Sequence, residues 1–271
     1  KEFGGGKGAN QAIAASRLAA DTTFISKVGK DGNANFILED FKKAGIHTQY
    51  ILTSESEETG QAFITVDEAG QNTILVYGGA NMTLSATDVE MSVDAFIGAD
   101  FVVAQLEVPF EAIEQAFKIA RKQNITTVLN PAPAIELPKS LLELTDIIIP
   151  NETEAELLTG ISINNESDMK ETATYFLDLG ISAVLITLGE QGTYCAYQEQ
   201  YKMIPACNVK AVDTTAAGDT FIGAFLSELN KDLSNLESAI RLANQASSLT
   251  VQRKGAQASI PTRKEVEGEY N

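Results

Sequence analysis

Residues 101–129 read FVVAQLEVPFEAIEQAFKIARKQNITTVL. Its two ends, Phe101–Leu106 and Thr126–Leu129, are short apolar runs, and between them Ile113, Phe117 and Ala120 recur at helical spacing. A strand, a helix and a second strand in that order form a unit whose strands run parallel, because a helix-length crossover returns the chain to the same edge. The helix has its own boundary chemistry: Pro109 at the first turn, Glu111 near the positive end, Arg121 and Lys122 near the negative end. Outward from this unit the alternation continues. Upstream, Thr22–Val28 precedes Ile37, Phe41 and Ala44 at helical spacing, and downstream lie strand candidates Asp146–Ile149 and Ala183–Leu188. The pattern predicts an α/β fold with a mostly parallel sheet flanked by helices. Residues Gln61–Val66 and Thr73–Tyr77 depart from it: both are rich in β formers and are joined by the turn-rich Asp67-Glu68-Ala69-Gly70-Gln71-Asn72. They predict a hairpin standing off the sheet as a candidate lid, over about residues 59–80. With no repeat or low-complexity linker, residues 1–271 are expected to form a single domain with this small β appendage.

Composition excludes several chemistries. The 271 residues carry 20 Lys+Arg against 37 Asp+Glu, a net charge of −17, with one His, two Cys and no Trp. Such a surface repels polyphosphate backbones and anionic lipid, so no nucleic-acid or membrane partner is expected. An anionic ligand must be caught locally, by backbone amides, a few placed cations or a metal. His47, the only histidine, lies in a polar stretch and reads as a loop residue rather than a member of a triad or a multi-histidine zinc site. Cys195 and Cys207 lack the close spacing of metal and redox motifs and read as reduced thiols, which suits a cytoplasmic protein. No apolar run approaches the ~20 residues a membrane span needs, and no basic-then-apolar leader opens the chain, so the expectation is a soluble protein.

The motif VDTTAAGDTF at 212–221 stands before an apolar helical stretch. Small residues at a helix start leave N–H groups unobstructed, and the helix dipole adds positive potential, which together make an anion site. Asp219 at its mouth suits accepting a proton from a hydroxyl that attacks a phosphoryl group held there. Equally, Asp213 or Asp219 is a helix cap. The turn Thr187-Leu188-Gly189-Glu190-Gln191-Gly192 lets backbone approach a phosphate, or is simply the entry to the next strand. In Pro150-Asn151-Glu152-Thr153-Glu154, Asn151 and Glu154 have capping-box spacing, and the same two residues are placed to face a nucleotide–magnesium complex. The run Gly4-Gly5-Gly6-Lys7-Gly8-Ala9-Asn10 is no P-loop, since Gly8 stands where Ser or Thr is needed, and it is a poor dinucleotide fingerprint. It is a small-residue helix entry with Lys7 and Asn10 exposed, suited to hydroxyl recognition or to tight helix packing. Glu107 and the segment Asn130-Pro131-Ala132-Pro133-Ala134 fall at the carboxyl ends of successive strands, where α/β proteins bind ligands. Arg253-Lys254-Gly255-Ala256-Gln257-Ala258-Ser259 reads as a surface turn.

Together the segments 5–11, 130–134, 150–154, 213–221 and 253–257, in this order, resemble the PfkB carbohydrate kinase family over essentially the whole chain. The resemblance implies a three-layer α/β/α fold with a mostly parallel central sheet and a small β lid. It also implies ATP-dependent phosphorylation of the 5-hydroxyl of D-ribose. Asp219 would be the catalytic base, with the amides of Ala216, Ala217, Gly218 and Asp219 as the anion hole. Gly5, Gly6, Lys7, Asn10 and Glu107 would join Asp219 in the sugar site. Asn151, Thr187, Gly189, Glu190, Gly192, Gly218 and Asn244 would bind ATP, with Asn151 and Glu154 organising Mg2+ indirectly. Asp213, Thr215, Thr250, Arg253, Gly255 and Ser259 would surround a monovalent cation, usually K+. The lid would cover the sugar and pair two subunits as a homodimer. Family members open with a core strand that supplies an Asn and an Asp to the sugar site. Here Lys1 stands directly before the glycine motif, so a sheet without that first strand is expected. A fructokinase or nucleoside kinase is the alternative within the fold. Beyond it stand a nucleotide-binding fragment without turnover and a dinucleotide-dependent oxidoreductase.

Overall fold

The computed structural model describes residues 3–66 and 72–270. The chain opens with α1 (Lys7–Arg17), β1 (Ser26–Val28), α2 (Gly32–Ala44) and β2 (Ile51–Thr53), followed by the hairpin β3 (Gln61–Val66) and β4 (Asn72–Tyr77). Then come α3 (Ala86–Met91), β5 (Phe101–Ala104), α4 (Phe110–Lys122), β6 (Thr126–Leu129), α5 (Lys139–Glu143), β7 (Ile147–Ile148), α6 (Glu152–Thr159), α7 (Glu166–Asp178) and β8 (Ala183–Thr187). The last elements are β9 (Gly192–Tyr197), β10 (Gln200–Pro205), α8 (Ala217–Glu228), α9 (Leu236–Val251) and α10 (Arg263–Tyr270).

Six strands form the main sheet in the order β10-β9-β8-β7-β6-β5. The pairs from β5 to β8 are parallel, and β8, β9 and β10 pair antiparallel through short connections. β1 and β2 form a separate parallel pair. Successive side chains on a strand point to opposite faces, and β8 shows how this builds three layers. Ala183 and Leu185 join the core under α8 and α9 with Phe221, Phe225, Ile240 and Ala243. Val184 and Ile186 face the opposite core, with Ile113 and Phe117 of α4 and Phe176 of α7. A strand buried on both sides has no polar alternation, which is why residues 183–186 are a continuous apolar run.

Boundaries are tighter than the sequence suggests. The first strand is only Ser26–Val28, with a separate bridge from Thr23 to His47, and Pro109 is the N-cap of α4 rather than part of its first turn. The hairpin pairs Gln61 with Tyr77 and Val66 with Asn72 as its own two-stranded sheet. Of its expected turn, residues 67–71 lie outside the described residues. Phe63, Leu75 and Val76 are exposed on this hairpin. No helix among the described residues is long and apolar enough to cross a membrane.

Two consequences position the site. The carboxyl ends of β5 to β8 bring Gln105–Glu107, Asn130, Asn151–Glu154 and Leu188–Gly192 to one edge of the sheet. Against this edge α1 meets α8 so closely that a Cβ on Gly223 would lie 2.4 Å from Ala14 Cβ and 2.7 Å from Gln11 O.

Candidate active site

The helix α8 starts without a side-chain cap: its N-cap is Ala216, held at φ 60°, and no side chain bonds its first amides. The uncapped start leaves orphan N–H donors and positive potential facing outward. The Ala217 N–H turns back to Thr214 O at 3.2 Å, so that amide, expected in the anion hole, already has a partner here. Neither aspartate is the helix cap. Asp213 instead accepts the N–H and hydroxyl of Thr215 at 3.0 and 2.7 Å and the Gly255 N–H at 2.9 Å. These three donors hold its carboxyl below the usual carboxylate range.

Asp219, in the first turn of α8, is 8% exposed. Its Oδ2 accepts from Asn10 Nδ2 at 2.8 Å and its Oδ1 from Gln11 Nε2 at 3.1 Å. Burial pushes its pKa up, opposed by those two hydrogen bonds and by Lys7. Asn10, expected to be exposed, is 6% exposed, because α1 packs it onto α8; its Oδ1 has no hydrogen-bond partner. Gly6 has φ 93°, a left-handed conformation that favours glycine, and it turns the chain so that the Lys7 N–H donates to Glu107 Oε2 at 2.7 Å. Burial raises the Glu107 and Glu154 carboxyls, each also facing Lys7 and the charge of Asp219. Three carboxyls and one lysine therefore converge on one partly desolvated volume. Gly5 precedes α1, with open space where a side chain would stand.

On the neighbouring loops, Asn151 and Glu154 form a complete capping box: Glu154 N–H donates to Asn151 Oδ1 at 2.8 Å and Asn151 N–H to Glu154 Oε2 at 2.9 Å. Asn151 also bridges Thr187, whose N–H donates to Pro150 O at 2.9 Å. Gly189 and Gly192 both have positive φ, with Glu190 between them in a short 3-10 turn. Asn244, expected at the nucleotide, has its amide engaged by the protein. Its Oδ1 accepts from Thr193 Oγ1, and its Nδ2 donates to the carbonyls of Ile204 and Pro205, so its amide ties α9 to β9 and β10.

The loop after α9 folds back on residues 212–215: the N–H groups of Val212 and Asp213 both donate to Val251 O, at 2.7 and 3.1 Å. Thr250 and Ser259 are fully buried, with their hydroxyls on Thr220 and Ala256 respectively, while Arg253 pairs with Glu265 at 2.8 Å. Arg253 is thus directed to α10, while the Gly255 N–H and the charge of Lys254 face Asp213. No group of three or more His, Cys, Asp and Glu among the described residues could hold a metal.

Motif reading gave Gln11 and Gln105 no role and Asn130 only a place at a strand's carboxyl end, yet all three connect to Asp219. Gln105 Nε2 donates to Gln11 Oε1 at 2.5 Å, Gln11 Nε2 donates to Asn130 Oδ1 at 3.0 Å, and Asn130 Nδ2 donates to Ile149 O at 2.9 Å. The available signal was the adjacent pair Asn10-Gln11 inside an otherwise small and apolar helix.

With this geometry, a buried carboxylate beside an uncapped helix start at the carboxyl edge of an α/β sheet, the comparisons agree on a class. The family model for pfkB family carbohydrate kinases matches residues 1–263, and the chain belongs to that family. It is 65% identical over 266 residues to a ribokinase of Staphylococcus aureus, covering 98% of this chain and 88% of that one. A ribokinase of Haemophilus influenzae is 45% identical, over 96% of this chain and 85% of that protein. Among solved structures, Arabidopsis thaliana ribokinase complexed with ribose and ATP superposes with a TM-score of 0.90 at 34% identity, over 97% of this chain and 86% of that one.

Proposed function

We propose that this chain transfers the γ-phosphoryl group of ATP to the 5-hydroxyl of D-ribose, with Asp219 as the base. The observation that carries this reading is the buried Asp219 carboxylate, held by N–H donors alone, beside the uncapped start of α8. The sugar oxygen attacks the γ-phosphorus, its proton passes to Asp219, and the bond from the γ-phosphorus to the bridging oxygen breaks to release ADP. Little covalent chemistry is asked of the protein, so positioning and charge stabilisation dominate. The Gly218 and Asp219 amides and the helix dipole stabilise charge on the transferring group. Asn10 Oδ1 is an acceptor in need of a hydroxyl, and Gly5, Gly6, Lys7 and Glu107 complete the sugar site.

Thr187, Gly189, Glu190 and Gly192 border the nucleotide, and Asn244 supports that border by fixing β9 and β10. Mg2+ supplies charge neutralisation of the phosphates; it keeps several waters and requires few protein oxygens, which agrees with a single buried Glu154 beside Asn151. For K+, the oxygen donors of Asp213, Thr215, Thr250, Gly255 and Ser259 fit a weakly hydrated cation, which would stiffen the loop carrying the α8 amides; Arg253 supports that loop through Glu265. The exposed Phe63, Leu75 and Val76 support a homodimer paired through the lid, and two free cysteines suit a cytoplasmic setting.

The test is ADP release from Mg-ATP with ribose, fructose or adenosine, with and without K+, in wild type and Asp219→Asn. Ribose gives the highest kcat/KM, K+ raises it, and Asp219→Asn loses about 10²–10⁴-fold in kcat, the usual contribution of a general base. Full activity of Asp219→Asn would remove the base assignment, and a preference for fructose or adenosine would change the substrate.

A further inference from the structure

We propose that Gln105, Gln11 and Asn130 form an amide relay of fixed polarity, and that Gln11 is the positioning residue that holds Asp219 as a proton acceptor. The inference rests on Asp219 being the base and goes beyond it, because it assigns the base's orientation to three amides that hydrogen-bond to one another behind it.

An amide side chain can ordinarily turn over, exchanging its donor and acceptor ends. Here the far end of the chain forbids it. Ile149 O is a main-chain carbonyl and only accepts, so Asn130 must present Nδ2 to it, at 2.9 Å. Asn130 Oδ1 then faces Gln11, which must answer with Nε2, at 3.0 Å. The second hydrogen of that same nitrogen has Asp219 Oδ1 as its acceptor, at 3.1 Å. Gln11 Oε1, turned the other way, is held by Gln105 Nε2 at 2.5 Å. A reversed Gln11 would set oxygen against Asn130 Oδ1 and Asp219 Oδ1 at once, inside a site where Gln11 is 2% and Asn130 7% exposed. The cost of such buried unpaired oxygens keeps the relay in one sense.

Asn10 provides the contrast. Its Oδ1 has no partner, so only Asp219 itself holds Asn10 Nδ2 in place, at 2.8 Å. Gln11 is therefore the donor that cannot be withdrawn, and it favours the charged carboxylate, the form that accepts a proton. The charged groups facing Asp219 are Lys7 on α1, Glu107 after β5 and Glu154 on α6. The two glutamates oppose its ionisation, which leaves the fixed donor more to do.

The experiment measures kcat against pH with saturating ribose and Mg-ATP for wild type, Gln11→Met, Gln11→Glu and Gln105→Met, alongside Asp219→Asn. Nucleotide titration is common to all and cancels in the comparison. A second readout follows the Asp219 carboxyl carbon by NMR titration in enzyme labelled with 13C-aspartate, without turnover. Gln11→Met is expected to move the acidic limb and the NMR midpoint upward by roughly one to two pH units, the worth of one hydrogen bond to a charged group. Gln11→Glu moves them further, because it adds a negative charge, and Gln105→Met moves them less, because it only loosens Gln11. If Gln11→Met does not fold, the shift in Gln105→Met, at a half-buried position, decides. An equal loss of kcat at every pH, with limb and midpoint unmoved in the folded variants, would overturn the relay and leave Gln11 a packing residue. Wild-type turnover by Asp219→Asn would instead overturn the assignment of the base, and the two failures are read from different variants.

Discussion

Gly223→Ala tests whether the contact between α1 and α8 sets the site's geometry. A Cβ there would lie 2.4 Å from Ala14 Cβ, 2.6 Å from Ala15 N and 2.7 Å from Gln11 O. Non-bonded carbons prefer about 3.5–4.0 Å, and two of the three obstacles are backbone of a packed helix, so the helices must part by roughly 1 Å. Overpacking of this kind costs about 1–3 kcal/mol, and the better helix propensity of Ala offsets about 1 kcal/mol of it. The net loss is then about 0–2 kcal/mol, a fall in Tm of at most about 8 °C at a few degrees per kcal/mol for a chain of this size. The effect on turnover is larger. Asn10 and Gln11 ride on α1 and Asp219 on α8, so a ~1 Å separation takes bonds of 2.8 and 3.1 Å beyond hydrogen-bonding range. Displacement of that size costs on the order of 10²-fold in rate. The assay pairs kcat for ribose phosphorylation with thermal unfolding of the same preparation. A variant with wild-type kcat and Tm would refute the argument that this glycine sets the register of base and donors.

Other consequences are separable. Asp213 is held below the usual carboxylate range by Gly255 and Thr215, so its contribution to stability is present above that range and is lost as pH falls through the lowered value. The gap in urea midpoint between wild type and Asp213→Asn should therefore be open at pH 7 and narrow only once the pH falls below the usual carboxylate range. Cys195 is buried, its thiol pushed up to about 12. Iodoacetamide at pH 8 should label Cys207 in the native protein and both cysteines in urea, as counted by mass spectrometry. Asn244→Leu removes bonds to Thr193, Ile204 and Pro205 and leaves buried groups unpaired, at about 1–3 kcal/mol for each. Urea unfolding measures this, and an unchanged midpoint would show that the amide is dispensable to the fold.

What the sequence made legible was whatever repeats at short range. The strands β5, β6 and β8 and the helix α4 follow from apolar runs and helical spacing, because burial on one or both faces acts on residues a few positions apart. The capping box at Asn151 and Glu154 was readable for the same reason, and forming it does not take up the whole of Glu154. The box uses Asn151 Oδ1 and Glu154 Oε2, while the same Glu154 is buried toward Lys7 and Asp219. Long-range partners were not legible. Asp213 and Asp219 are equivalent candidates within their motif, and they part only because one meets Gly255, 42 residues on, and the other meets α1, more than 200 residues back. Asn10 was expected in solvent because a helix entry of small residues permits exposure as readily as close packing; the decision belongs to Gly223, on a helix that the local pattern does not mention. The orientation of the donors is further still from the motif, since it is fixed by a main-chain carbonyl at the end of β7. On the proposed reading, a carboxylate in a glycine-rich segment acts as a base only when the sheet has closed and that carbonyl, through Asn130 and Gln11, presents it with a donor.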